Sequence, residues 1–222
     1  MCAKRIFSRR QFLRNSSKVA GSALALPYII PASVLGQGAV APSNRITIGC
    51  IGVGGHGIAR NLKGFLAQDD AQVLAVCDVD SNNLEKARRL GNEKYSNQDC
   101  AQTKDFREII GRQDIDAVMI STPDHWHTPI SIMAAKAGKD VCCEKPTLTI
   151  QEGRVLVNTI KRYSRVFQTS TEDRSLHVYH RMAELVRNGR IGKLHTIHVE
   201  LPHQPNGPGN ATPMPVPEEL DY

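Results

Sequence analysis

Two short polar loops, Ser121-Thr122-Pro123-Asp124-His125-Trp126-His127 and Glu144-Lys145-Pro146, each follow an apolar run that reads as a buried parallel strand. They hold a lysine, two carboxylates and two imidazoles, groups able to move a proton or hold an ion. In a doubly wound sheet, loops at the carboxyl ends of the strands converge on one crevice, so these two are candidate walls of a single site. Lys145 is the candidate catalytic residue. A lysine takes or returns a hydroxyl proton when burial or nearby positive charge draws its pKa below ~10.4, a shift that an adjacent carboxylate such as Glu144 opposes. The competing reading, a surface lysine after a strand, is weakened by the rigidity that Pro146 gives this loop. His125 and His127 have the form of a metal pair, but these loops offer no third ligand of suitable spacing, so no metal is assigned. Trp126 and His127 are read instead as walls of the crevice. His177 with His180, and His195 with His198, read either as pocket-lining or as exposed and inert.

The elements that must position these loops begin upstream. Arg45 to Ile51 reads as a first strand running into Gly52-Val53-Gly54-Gly55-His56-Gly57, a GxGxxG turn. Gly52 permits the bend, Gly54 lets backbone approach a pyrophosphate, and Gly57 lets the next helix, expected from Ile58 to Leu66, pack close to the strand. The helix N-terminus then offers free N–H groups to phosphate. A second strand, Ala71 to Cys77, ends at Asp78, about 20 residues beyond the glycines, where such folds place the acid that accepts the ribose hydroxyls. A carboxylate there repels a 2′-phosphate, and no Arg or Lys lies between Val79 and Leu84, which favours NAD over NADP. The alternative is that Asp78 and Asp80 only start a helix.

The remaining punctuation predicts helices over Leu84–Leu90 and Asp105–Gly111, a strand over Asp116–Ile120, and a helix opened by Thr128 as N-cap with Pro129 first, burying Ile130, Met133, Ala134 and Ala137 before Gly138. Asp140 to Cys143 reads as a fifth strand. Thr149 and Glu152 form a capping box for a helix reaching about Tyr163, and Val166–Thr169 reads as a sixth strand. Alternation of this kind means a parallel α/β sheet.

The chain has 28 Lys and Arg against 22 Asp and Glu, but six of the basic residues and no acid fall in the first 43 positions, leaving the rest balanced. That distribution excludes a nucleic-acid-binding face as the source of the basic pI. The leader runs Ser8-Arg9-Arg10-Gln11-Phe12-Leu13, then a modest apolar stretch, Val19 to Ile30, interrupted by Gly21 and Pro27, then a linker, Gly36 to Asn44. It reads as a twin-arginine export signal, too short and broken for a membrane span of ~20 apolar residues. Export by this route carries folded protein with its cofactor already inside, and places the product in the periplasm. Of the six cysteines, Cys50, Cys77, Cys142 and Cys143 fall in proposed strands and are expected as buried thiols. Adjacent Cys142 and Cys143 point to opposite faces of their strand.

The order GVGGHG, VCDVD, STPDHWH, EKP and QTSTEDRS resembles the Gfo/Idh/MocA oxidoreductases, particularly twin-arginine-exported members, from about Asn44 to Glu200. The resemblance implies a Rossmann domain followed by an α/β domain with an open mixed sheet. It implies that Gly52, Gly54, Gly57, Asp78, Thr122, Pro123, His127 and Glu144 contact NAD(P), that Lys145 bridges cofactor and substrate, and that the substrate is a sugar, inositol or related polyol. It also implies assembly of the full-length protein into a homo-oligomer.

The expected organisation is a signal and linker over 1–43, the nucleotide-binding domain over 44–170, and the incomplete start of the second domain over 171–222: a helix from Ser175 to Asn188, a strand from Leu194 to Leu201, and a tail in which six of the twelve prolines lie between Pro202 and Pro217. Three functions stay open: a dehydrogenase acting on a polyol, of which this is the N-terminal part; an NAD-dependent glycosidase of the same family, a branch the resemblance associates with a different residue at position 145; and a catalytically inactive dinucleotide-binding module.

Overall fold

Apolar residues alternate along the central strands between two hydrophobic layers, so the sheet must be covered on both sides. A computed structural model of the protein describes residues 40–200 and 215–221; the segment read above as a twin-arginine signal, up to Ile30, and Cys2 lie outside the described residues. The strands are β1 (Ile46–Ile51), β2 (Ala71–Cys77), β3 (Ala101–Thr103), β4 (Ala117–Ile120), β5 (Asp140–Glu144) and β6 (Phe167–Ser170). They form one six-stranded sheet in the order β3-β2-β1-β4-β5-β6, with every pair parallel. This is the doubly wound order, and the chain reverses direction of travel across the sheet between β1 and β4. One layer gathers Ile48, Cys50, Val73, Val76 and Met119 beneath Ile58, Leu62 and Leu84; the other gathers Ile51, Ala75, Val118, Ile120 and Val141 beneath Ile109, Ile130 and Ala134.

Helix α1 is a π-helical stretch, Gly57–Leu62, continuing as α-helix over Lys63–Leu66. Helix α2 (Ser81–Tyr95) begins earlier than its apolar pattern predicts, because Asp80 caps it by accepting the N–H groups of Asn82 and Asn83. Helix α3 (Phe106–Gly111) is capped by Asp105, and α5 (Ile150–Tyr163) by Thr149, whose hydroxyl accepts from Glu152 N at 3.1 Å while Glu152 Oε2 accepts from Leu148 N. The last helix, α6, spans His177–Arg187.

Helix α4 departs from expectation. It spans Asp124–Lys136 with Pro123 at its N-cap, so Thr128 is not the cap and Pro129 lies inside the helix. A proline there forfeits one backbone hydrogen bond. The first turns are anchored instead by burial of His127, Thr128, Ile130 and Ser131. Met133 is 38% exposed and Ala137 is exposed, against expectation, while Ala135 is buried. The predicted strand over Leu194–Leu201 is also absent: residues 194–200 are exposed and pair with no strand among the described residues. A strand is made by its partner's hydrogen bonds, and these residues have none to align with.

Cys50, Cys77, Cys100 and Cys143 are buried free thiols and Cys142 is half-buried. Burial pushes the thiols of Cys50, Cys77 and Cys143 up to about 12 and that of Cys142 to about 11, which keeps them protonated and unreactive at neutral pH. Cys142 packs on one layer and Cys143 on the other.

Candidate functional site

At the carboxyl edge of the sheet, the β1–α1 turn meets the start of the β4–α4 connection. Ser121 N donates to Ile51 O at 2.8 Å and Gly52 N to Cys77 O at 2.8 Å, tying the ends of β1, β2 and β4 together. Gly52 sits at φ +83°, and a Cβ there would lie 2.6 Å from the backbone carbon of Ser121. A Cβ on Gly57 would collide with the carbonyl oxygen of Gly52. Gly54 and Gly55 are different, since a Cβ on Gly55 meets nothing within 4 Å and one on Gly54 only Asn83 Nδ2 at 3.9 Å. The first and last glycines therefore build the turn, and the middle ones leave bare backbone facing a crevice of about 1150 Å³.

That crevice is lined by Gly52, Gly54 and Gly57, by Asp78 at the end of β2, and by Thr122, Pro123 and Trp126. Asp78 Oδ2 accepts from Val53 N at 2.8 Å and Oδ1 from Asp80 N at 2.9 Å, which locks the carboxylate to the glycine turn. A carboxylate has about four acceptor positions, so two remain for hydroxyl donors. Asp78 and Asp80 thus divide the roles left open by the sequence: Asp80 caps the helix and Asp78 faces the crevice. The hydroxyl of Thr122 is buried with no hydrogen-bond partner in the protein. An orphaned donor, uncovered backbone at Gly54 and Gly55, and a carboxylate with spare acceptor capacity together fit a dinucleotide.

A second crevice of about 560 Å³ opens beside the first and is lined by Thr122, His127, Glu144, Lys145, Ser170 and Arg174, among others. Glu144, whose side chain is 10% exposed, accepts from Asn61 Nδ2 at 2.9 Å and faces His56 Nε2 at 3.2 Å. Burial raises its pKa, but hydrogen bonds from Asn61, Ser170 and His56 outweigh this and hold the carboxyl below its ordinary range. Glu144 is therefore ionised at neutral pH beside Lys145. His56 also approaches Glu172 at 4.0 Å, and Arg60 approaches Glu172 at 3.8 Å.

His127 is buried in the first turns of α4, with Nδ1 2.8 Å from Pro146 O and Nε2 2.8 Å from Thr122 O. It pins the Glu144-Lys145-Pro146 loop, whose Lys145–Pro146 peptide is cis, to the end of β4. The two loops that stand out in the sequence thus meet at one imidazole, whose two ring nitrogens each face a backbone carbonyl, one of which accepts its N–H. Trp126 is 42% exposed on the wall of the larger crevice. His177, His180, His195 and His198 are exposed and line neither crevice.

Asn61, Ser170 and Glu172 are site residues to which the sequence alone assigned no role. Ser170 and Glu172 had a usable signal, since they follow β6 as the other loops follow β4 and β5. Asn61 had none, because its role depends on the π-helical geometry of α1.

The profile of the Gfo/Idh/MocA oxidoreductase family, NAD-binding Rossmann fold, matches residues 46–171. A glycosyl hydrolase family 109 protein of Saccharopolyspora erythraea is 32% identical over 72% of this chain and 38% of its own length. Myo-inositol 2-dehydrogenase of Thermotoga maritima is 32% identical over 79% of this chain and 47% of its own. Among solved structures, scyllo-inositol dehydrogenase of Lactobacillus casei with bound NAD(H) and scyllo-inositol superposes with a TM-score of 0.58 at 28% identity, covering 67% of this chain and 42% of that one. The chain therefore spans less than half the length of these relatives. On the profile match, the sheet order and the glycine turn, it belongs to the Gfo/Idh/MocA oxidoreductase family and carries that family's NAD-binding Rossmann fold.

Proposed function

We propose that this chain supplies the nucleotide site and the proton-transfer lysine of a dehydrogenase that moves hydride between NAD and a carbinol carbon of a sugar, inositol or related polyol. The observation that carries the reading is the convergence, at one sheet edge, of a glycine turn with uncovered backbone, the Asp78 carboxylate and the Glu144-Lys145 pair. When bound, NAD supplies the hydride acceptor. The N–H groups of the turn hold its phosphates, and Asp78 accepts the adenosine ribose hydroxyls. Thr122 lines both crevices and Pro123 the larger, and His127 holds the lysine loop in place. Lys145 takes the proton of the substrate hydroxyl as the carbon is oxidised and returns it in the reverse direction. Lys145 is exposed on the smaller crevice that the ionised Glu144 also lines.

The Arg9-Arg10 leader supports export of the folded, cofactor-loaded protein through the twin-arginine translocase to the periplasm. Homo-oligomer formation by the full-length product is proposed from the family resemblance.

The test is to supply protein from its own cells with NAD and a panel of inositols and sugars while following reduced nicotinamide. The reading expects reduction with at least one polyol. Release of sugar from aryl glycosides without net reduction would assign the chain to the glycosidase branch instead, the branch of the Saccharopolyspora relative. Bound NAD with no exchange would leave a binding module. In the same preparations, Asp78→Ala weakens NAD by about tenfold and NADP less, as read by calorimetry; equal loss of both removes the ribose assignment.

A further inference from the structure

The acid end of the larger crevice has a wall that the glycine turn and strand ends do not provide. Segment 215–221 returns to the β2–α2 turn and lies along it as a short antiparallel pairing, with Leu220 opposite Asp80. Ser81 N and Oγ donate to Glu219 O at 2.9 and 3.0 Å, and Asp221 N donates to Val79 O at 3.0 Å. The pairing therefore sets Asp221 across from Val79, the residue that follows Asp78. Leu220 and Asp221 both line the crevice with Asp78, Val79 and Asp80.

We propose that Glu219–Asp221 forms a strap over the adenosine end of the dinucleotide site, and that Asp221 is a cofactor-specificity residue that disfavours a 2′-phosphate. This rests on the nucleotide reading above. The strap adds a carboxylate from a segment distant in sequence to a rim that already carries Asp78. A 2′-hydroxyl meets carboxylate acceptors there, whereas a 2′-phosphate brings negative charge to negative charge. Lys104 and Arg107 also line this crevice, and Arg107 is engaged by Asp105 at 3.1 Å. Asp221 is exposed and its hydrogen bond to Val79 uses backbone alone, so its side chain can be changed without undoing the strap.

The experiment titrates the full chain and its Asp221→Asn variant with NAD and with NADP by calorimetry at one ionic strength. Asp221→Asn is expected to tighten NADP relative to NAD by about tenfold, with most of the change in NADP. A second variant, Asp221→Lys, moves the ratio further in the same direction. An unchanged ratio in both variants, with NAD still bound, overturns the specificity role and leaves the nucleotide site standing. If the parent chain binds neither dinucleotide, the nucleotide reading and this one fall together.

Discussion

Replacing Lys145 with alanine is expected to lower hydride transfer from the polyol to NAD by about 10²–10⁴-fold while NAD affinity stays within about threefold of the parent. The size follows from the loss of a proton acceptor placed at the reacting hydroxyl. The sparing of NAD follows from position, because Lys145 lines the smaller crevice and does not line the one that holds the glycine turn and Asp78. Lys145→Arg separates proton transfer from charge. A guanidinium keeps the positive charge but does not release a proton in this pH range, so the arginine variant stays slow. Recovery of rate in Lys145→Arg would assign the residue an electrostatic role. Parent-like rates in Lys145→Ala would make it a surface lysine, the competing reading of its place after a strand.

Gly52→Ala has the second large effect, and it acts through the backbone. A side chain at φ +83° is strained for any L-residue, and here its Cβ would also press on the backbone of Ser121 at 2.6–2.7 Å. These costs add to about 3 kcal/mol or more, measured as a lower urea midpoint, and any folded fraction loses NAD because the β1 and β4 loops can no longer approach. Gly55→Ala is the control for stability. Its Cβ enters open space within the first helical turn, so the midpoint holds or rises by up to about 1 kcal/mol. Equal losses in the two variants would contradict the division of labour among the glycines.

What the sequence made legible was the part of the molecule governed by local sterics and strong periodicity. Gly52 and Gly57 are needed for reasons one turn can state, β1, β2, β4 and β5 are apolar enough to stand out, and Asp78 follows from its distance to the turn. The edge strand β3 is not legible, because its three residues, Ala101 to Thr103, are short of apolar side chains, largely exposed, and owe their conformation to β2. The start of α4 was misplaced because Thr128-Pro129 imitates a helix beginning. What overrides that imitation is His127, whose ring is held by carbonyls from two loops 19 and 5 residues away in sequence, a constraint invisible without the fold. The strand expected after Lys193 failed for the complementary reason, since apolar alternation there finds no strand to pair with among the described residues. Asn61, Ser170 and the strap at 219–221 belong to the same class of features, set by where distant segments meet.

Calorimetric titration of the chain with NAD decides whether the crevice at the β1–β4 reversal holds the dinucleotide. One NAD per chain is expected, with a matching rise in thermal midpoint, and Asp78→Ala lowers the affinity to about a tenth of the parent's and shrinks the rise accordingly. A folded chain that shows neither heat nor stabilisation with NAD or NADP would contradict it.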